Sequence, residues 1–481
     1  MTSPEPVTIT VIGAGPAGLA AAVEAARSGL VVALVDTGAR LGGQFWRHGP
    51  AGVASDPGLH HDVDVFAELV AAAQRLITDR QLQYYPNHHV WSLTATDDGC
   101  AVSAVDRSDA SRPGELTIES DYLVLAPGAF DRQVPFPGWD LPGVMTVGAA
   151  QSLLKGSGVV VGPRVVVAGT GPFLLPVASA LATHGARVVG VYEANHPIAW
   201  LRRVPVLVAH SKRLGEAMGY FATLLRHRVR VHHRSMVVAA HGDGRLDAVT
   251  VARLDRHGHQ VPRSLRRILV DVLAVGYGFT AQSELAVAAG CEMRVSADQT
   301  LVVATDDQLA TSNPRVFAAG EVTGIGGAAL AAAEGIIAGA AVARAAGAPT
   351  LRDAHSLRTP AARRQLLGRF ARAMHQVYPV PPAWLGNLEP DTIVCRCEEV
   401  TVAAIDSAIE LGARDARTVK LLSRSGMGWC QGRECSYATA CLIADRTEQP
   451  LDLSSGAGRP IASPVPLGLV AQSADAPMTV T

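Results

Sequence analysis

Residues 7–36 hold the pattern that most restricts what this chain can become. A β-branched run, Val7–Ile12, breaks directly into Gly13-Ala14-Gly15-Pro16-Ala17-Gly18. Small apolar residues continue at helical periodicity to about Ser28, Gly29 stops them, and a second apolar run, Val31–Val35, ends on Asp36. Strand, glycine turn, helix and strand within about thirty residues predict a β-α-β unit of a parallel sheet. Gly13 permits the tight turn off the strand, Gly15 lets the backbone approach a pyrophosphate, and Gly18 lets helix and sheet pack closely. Phosphates then rest on the positive end of the helix that Pro16 and Ala17 open. Asp36 is placed to accept hydrogen bonds from a ribose, and its charge repels a 2′-phosphate. The unit reads as a dinucleotide site, and this motif alone does not separate FAD from NAD.

The same order of events recurs. A strand at Val165–Ala168 enters Gly169-Thr170-Gly171-Pro172, a helix runs to about His184, Gly185 follows, and a strand at Arg187–Tyr192 ends in Glu193. Leu174 occupies the place of a third glycine, which predicts poorer helix–strand packing. The residue set Gly169, Gly171, Pro172 and Glu193 leaves three readings open: NAD, a static adenine nucleotide such as ATP or AMP, or no ligand. The acid disfavours NADP. Tyr122–Leu125, Leu269–Val275 and Arg315–Ala319 read as buried strands, and residues 226–234, where Arg and His alternate with Val, read as a strand with one solvated charged face. The Ala- and Gly-rich helix after Gly327 is expected to pack closely on a sheet.

Composition narrows the class. Lys and Arg number 42 against 43 Asp and Glu, for a net charge of -1, which argues against a nucleic-acid binder. Hydrophobic residues make up 48% and charged residues 18%, enough for packed cores and unlike a disordered chain. Residues 1–6 carry no basic leader, and the apolar stretch Val316–Ala346 is interrupted by Glu321, Glu334 and Arg344. A soluble cytoplasmic protein is expected, peripheral to a membrane only through its complex.

Five of the seven cysteines fall in the last ninety or so residues, so they read as one local site rather than a disulfide framework. Cys395-Arg396-Cys397 and Cys430-Gln431-Gly432-Arg433-Glu434-Cys435 present four thiols in two close pairs. Four thiolates can hold zinc or an iron–sulfur cluster. Zinc sites favour wider pairs than Cys-x-Cys, whereas a two-iron cluster naturally separates its ligands two to each metal. Between the pairs, Val402, Ile405, Ala408 and Ile409 make a helical apolar face ended by Gly412, and a short helix near Ala416–Leu422 precedes the turn Ser425–Gly428. Cys441 reads as a core or spare thiol, and Cys100 and Cys291 as buried small hydrophobes. The adjacent histidines His60-His61 and His88-His89 point opposite ways on a strand and are not taken as metal ligands, and no acid–base residue is named.

Several of these segments carry a resemblance. Arg40-Leu41-Gly42-Gly43-Gln44, Ala126-Pro127-Gly128 and Phe317-Ala318-Ala319-Gly320-Glu321 resemble the FAD-binding landmarks of flavoproteins with two dinucleotide-binding domains. The resemblance implies that Gly43, Gln44, Ala126, Gly128, Gly320, Glu321 and Gly327 line the flavin nucleotide, with Glu321 on the ribitol chain. Pro127 stands where the family places Thr. The cysteine pair that disulfide reductases of this kind carry after the Gly-Gly element has no counterpart in Phe45-Trp46-Arg47-His48. The cysteine module resembles the bacterioferritin-associated-ferredoxin-like [2Fe-2S] domain, which implies Cys395, Cys397, Cys430 and Cys435 as ligands. That family commonly closes with Cys-x-x-Cys, whereas here four residues intervene. The longer spacing, with Gly426-Met427-Gly428-Trp429 before it, resembles the branch found in heteromeric amino-acid and opine dehydrogenases and hydrogen cyanide synthase.

The resulting expectation is an α/β chain of two Rossmann-like domains, like glutathione reductase, with a small helical [2Fe-2S] domain at its C-terminal end. The FAD domain is expected to comprise residues 1–150 and 276–350, the second nucleotide domain 151–275, a helical connector 351–390, the cluster domain 391–446, and a loosely held tail 447–481. The resemblance implies an electron-transferring α subunit whose partner is a flavoprotein β subunit similar to D-amino-acid oxidase. A small ferredoxin-like subunit is a further candidate partner. The rival readings are a self-contained NAD(P)H-dependent reductase and a nucleotide-loaded scaffold.

Overall fold

The computed structural model describes residues 7–49, 59–60, 62–109, 114–349, 357–456, 458 and 462–475. Two five-stranded parallel sheets organise it. The first runs Val316–Ala318, Tyr122–Leu125, Ile9–Ile12, Val32–Val35, Leu82–Tyr85 across its width. The second runs Val231–His233, Arg187–Glu193, Arg164–Gly169, Val272–Gly276, Val144–Thr146. Their central strands are buried on both faces, which is why they read as continuous apolar runs rather than alternations. A three-stranded antiparallel sheet accompanies each: His88–Thr96, Gly99–Asp106 and Gly114–Ser120 with the first, Ser235–His241, Ala248–Arg253 and Arg266–Leu269 with the second.

Small residues set the closeness of packing in the first unit. The helix Pro16–Arg27 lies against the helix Ala328–Ala345. A methyl group at Gly335 would come within 2.1 Å of the Ala17 carbonyl oxygen, and one at Gly339 within 2.6 Å of that of Ala21. Among the described residues Ala328–Ala345 is the one helix long and apolar enough to cross a membrane, but 67% of it is buried inside the protein. It is a core helix.

Four expectations change. The run 226–234 is not one strand: the helix Ser211–Arg226 ends there, Arg228 turns at φ 58°, and only Val231–His233 pairs, beside Val191–Glu193. Its face is also less solvated than expected, because His232 stacks on Tyr192 at 4.7 Å and His233 is half-buried. Leu269–Val275 divides between two sheets at Asp271, which Arg164 grips at 2.7 Å. Val144–Thr146 is the edge strand of the second sheet, so that unit begins before residue 151; three residues are too few for alternation to show. The segment after Pro450 is partly tied down. Ala462 donates its N–H to the Trp91 carbonyl at 2.8 Å, Ser463 bonds the Val90 carbonyl at 3.1 Å, and Leu467–Asp475 is helical.

The connector is the helix Arg358–Val377 followed by a turn at Pro382–Asn387; its expected start, 351–356, lies outside the described residues. The cysteine module then forms the hairpin Ile393–Cys395 and Val400–Thr401 and three helices, Val402–Glu410, Ala416–Ser423 and Ser436–Thr447. Thr401 and Asp415 cap the first two, accepting from the N–H of Ala404 and Thr418. Val394, Val400, Ile405 and Leu442 share one continuous core with Phe136 and Trp139 of the nucleotide-binding body. Trp139 Nε1 donates to the Ile393 carbonyl at 2.5 Å, and Arg396 lies over the Trp139 ring at 5.1 Å. The module is thus packed in place rather than tethered.

Candidate functional site

The first glycine turn is built by mutual close approach. Gly13 sits at φ 100° with the place of its absent side chain 2.1 Å from the Ala126 carbonyl oxygen, so the turn nests against the crossover that ends in Gly128. At Gly18 the same construction meets the Gly13 carbonyl oxygen at 1.8 Å. Gly15 faces open space, as a backbone meant to meet a phosphate must. Two further segments of the expected site converge there. Gly42 donates its N–H to the Ala14 carbonyl at 2.9 Å, and Gly43 stands against Gly15, with Gln44 exposed beside it and accepting from Arg47 Nε at 3.1 Å. Gly320 meets Ala17 from the other side.

Both acids of this unit are engaged by backbone. Asp36 accepts from the N–H of Ala14 and of Gly38, so its carboxylate already faces the turn where a ribose would lie. Burial raises its pKa and those two bonds oppose the rise. Glu321 accepts from the N–H of Gly326 at 3.0 Å and of Gly327 at 2.8 Å, just before the helix Ala328–Ala345 begins. Burial lifts its carboxyl to about 7 against those bonds. The open face at Gly15, roofed by Gly43, fits the pyrophosphate of an FAD.

The second turn is tighter. Gly169 leaves 1.7 Å to the Gly276 carbonyl oxygen, and Gly171 faces open space. Leu174 does not spoil the packing as expected: the helix starts there, at Leu174–Thr183, and Leu174 is buried among Val165, Val167 and Val177. Pro172 therefore lies in the turn. Glu193 is buried and accepts from Thr170 Oγ1 at 3.0 Å, Gly171 N–H at 2.8 Å and Asn195 N–H at 2.9 Å. Asn195 in turn donates to Thr170 Oγ1 and to the Pro379 carbonyl at 2.8 Å, which closes the connector over this turn.

The four thiols meet as two pairs. Cys395 and Cys435, both buried, hydrogen-bond one another, and Cys397, exposed, pairs with Cys430. The bond from Cys435 and the N–H groups of Gly426, Glu398 and Cys397 hold the Cys395 thiol down at about 6, and the same contact pushes Cys435 up. Among the described residues no three His, Cys, Asp or Glu side chains close on one point as a single ion requires. Two pairs backed by N–H donors suit two irons better than tetrahedral zinc. Gly428 makes the loop possible, since a methyl there would lie 2.2 Å from Cys397 Cβ. Ser425 Oγ reaches Cys435 Sγ at 3.9 Å. Cys441 hydrogen-bonds Tyr437 on the far side, and Cys100 and Cys291 are buried in the first unit's core.

Sequence reasoning missed the residues that join these parts. Glu334 is buried and accepts from Gly320 N–H at 2.9 Å, Thr323 Oγ1 at 2.8 Å and Arg364 Nε at 3.1 Å. A lone acid inside an Ala- and Gly-rich helix was the available signal. Arg132 lies over Tyr437 of the cysteine module at 4.7 Å, and Arg433 pairs with Glu284 at 2.8 Å. Nothing local in the sequence marks those pairings.

Comparison with known proteins agrees with this layout. Residues 7–347 match the pyridine nucleotide-disulphide oxidoreductase model, and 393–445 match the BFD-like [2Fe-2S] binding domain. The HcnB chain of hydrogen cyanide synthase from Pseudomonas aeruginosa is 34% identical over 88% of this chain and 90% of that protein. The A chain of opine oxidase from Agrobacterium tumefaciens is 33% identical over 96% and 91%. Among solved structures, L-proline dehydrogenase from P. horikoshii shares the fold at TM-score 0.68 and 21% identity, covering 96% of this chain and 79% of that one.

Proposed function

The chain belongs to the pyridine nucleotide-disulphide oxidoreductase family and ends in a BFD-like [2Fe-2S] binding domain, and on that premise we propose that it is the electron-transferring FAD/[2Fe-2S] subunit of a heteromeric dehydrogenase acting on an amino acid, imino acid or opine. The observation that carries this reading is the joining, on one packed core, of an open glycine turn and two thiol pairs, with no cysteine pair beside that turn. Relatives across nearly the whole chain are subunits of a cyanide synthase and of opine oxidases.

FAD takes up electrons in pairs and a [2Fe-2S] cluster carries them singly. The chain's own residues hold and tune. Gly13, Gly15 and Gly18 bring backbone to the pyrophosphate at the helix that Pro16 and Ala17 open. Asp36 receives the ribose, and Gly43, Gln44, Ala126 and Gly128 line the flavin nucleotide. Gly320, Glu321 and Gly327 hold the ribitol end, and Cys395, Cys397, Cys430 and Cys435 are the cluster ligands. The amine site then lies on the partner, a flavoprotein resembling D-amino-acid oxidase. A small ferredoxin-like subunit is a further partner, and the complex is cytoplasmic.

The second glycine turn, Gly169 to Pro172 with Glu193, is the feature that favours the rival, a self-contained NAD(P)H reductase. Anaerobic titration separates the two. Bleaching of flavin absorbance only with amine plus partner subunit is the expected result; rapid bleaching by NADH alone refutes it, and iron and sulfide analysis finding neither element refutes the cluster.

A further inference from the structure

Between the helix Ala328–Ala345 and the connector helix Arg358–Val377 lies a cavity of about 650 Å³ that neither glycine turn nor the thiol pairs use. Its volume is that of a cofactor- or metabolite-sized site. Four arginines line it, Arg294, Arg364, Arg369 and Arg372, against two carboxylates, Asp307 and Glu334. Both carboxylates are engaged by the same partner: Arg364 Nε meets Glu334 at 3.1 Å and its Nη1 meets Asp307 at 3.7 Å. Arg294 donates to the Thr323 carbonyl at 2.9 Å, a neutral acceptor that leaves its charge unbalanced. Arg369 and Arg372 stand three residues apart on one helix, both exposed, and among the described residues neither has a carboxylate partner. Like charges at that spacing repel. A chain of net charge -1 has therefore gathered unneutralised guanidinium groups around one hollow.

We infer that this cavity binds a small molecule bearing a phosphate monoester, held by Arg369 and Arg372 with Arg294 opposite. A phosphate monoester carries about -1.5 to -2 charge near pH 7 and three acceptor oxygens. That matches the unbalanced positive charge and the two-pronged donor faces of the guanidinium groups, whereas a monocarboxylate would neutralise only part of it. Ile325, Leu330 and Ala371 supply an apolar wall for the organic part of the ligand.

The test uses the full chain and calorimetric titration at constant ionic strength with inorganic phosphate, phenyl phosphate and benzoate as probes. One equivalent of phenyl phosphate is expected to bind more tightly than phosphate and at least tenfold more tightly than benzoate. Arg369→Gln with Arg372→Gln should weaken phenyl phosphate binding at least tenfold while far-ultraviolet circular dichroism stays unchanged, because both side chains are exposed. Sedimentation with phosphatidylcholine vesicles containing phosphatidic acid, lost in the double variant, would assign the phosphate to a lipid headgroup; binding of the soluble probe without sedimentation assigns it to a free metabolite. No saturable binding, equal affinity for benzoate, or unaltered binding by the double variant each overturns the inference. Calorimetry reads the site whatever the chain's flavin or iron content, so its failure is separable from failure of the electron-transfer reading.

Discussion

Gly428→Ala isolates the cluster geometry from the rest of the fold. The added methyl would lie 2.2 Å from Cys397 Cβ, 3.1 Å from Glu398 Oε1 and 3.3 Å from the Cys397 carbonyl carbon. Non-bonded carbons settle about 3.5–4.0 Å apart, so the two loops must part by roughly 1.3 Å or more. Ligand distances at metal sites are held to about 0.2 Å, several times less than that displacement. Cys397 is exposed while Cys395 and Cys435 are buried, so the Cys397 loop is the part that gives. The overpacking itself should cost only about 1–3 kcal/mol, leaving the module folded on Trp139 and Ile405. Iron and acid-labile sulfide per chain, measured on material prepared without oxygen, should fall several-fold, with secondary structure retained. Gly215→Ala is the control, because its methyl meets open space on an exposed helix. Iron and sulfide equal to the wild type in a folded Gly428→Ala chain would refute the assignment of Cys397 as a ligand.

Three further outcomes follow from the same geometry. Gly18→Ala drives a methyl to 1.8 Å from the Gly13 carbonyl oxygen and should abolish flavin retention, read as absorbance remaining with the protein after gel filtration. Burial lifts the Glu193 carboxyl from 4.5 to about 7, so the folded chain keeps a proton that the unfolded chain releases across that interval. Stability should therefore fall as pH rises from about 4.5 to 7 and level off above, by at most about 3 kcal/mol at 1.36 kcal/mol per unit. Glu193→Gln should flatten that slope in urea midpoints, with Glu321 keeping the remainder because it is lifted in the same direction. Tyr277 is buried and its hydroxyl has no hydrogen-bond partner among the described residues, so Tyr277→Phe should leave the urea midpoint unchanged or raise it by about 1 kcal/mol equivalent. A drop would reveal a partner for that hydroxyl.

What the sequence disclosed was whatever chemistry depends on near neighbours. Strand, glycine turn, helix and acid lie within one short segment at Ile9–Asp36, and their residue types state their geometry; the same holds for Cys395-x-Cys397 and for the apolar helical face at Val402, Ile405, Ala408 and Ile409. The alternation at 226–234 misled because a helix end, a left-handed Arg228 and a three-residue strand together imitate period two. The edge strand Val144–Thr146 escaped notice because its partner, Leu273–Val275, is remote in sequence. Arg132 over Tyr437, Trp139 on Ile393 and Arg364 on Glu334 were equally hidden, since each joins segments that only the completed fold brings together.

The two corresponding acids show how one local motif can take different parts in one chain. Asp36 is half-buried and, among the described residues, its carboxylate accepts only from Ala14 of the glycine turn and from Gly38, so a pair of ribose hydroxyls can exchange with them without moving another element. Glu193 is buried under three donors, and one of the residues that supply them, Asn195, also binds Pro379 of the connector. The connector is anchored a few turns away, where Arg364 meets Glu334 and His375 bonds the Ile325 carbonyl at 2.7 Å. A ligand group that displaced Asn195 would break its bond to the Pro379 carbonyl and remove one of the three donors on Glu193, at about 1 kcal/mol for each bond. Asn195 therefore couples the second turn to the connector, whereas among the described residues the bonds to the Asp36 carboxylate stay within the first unit.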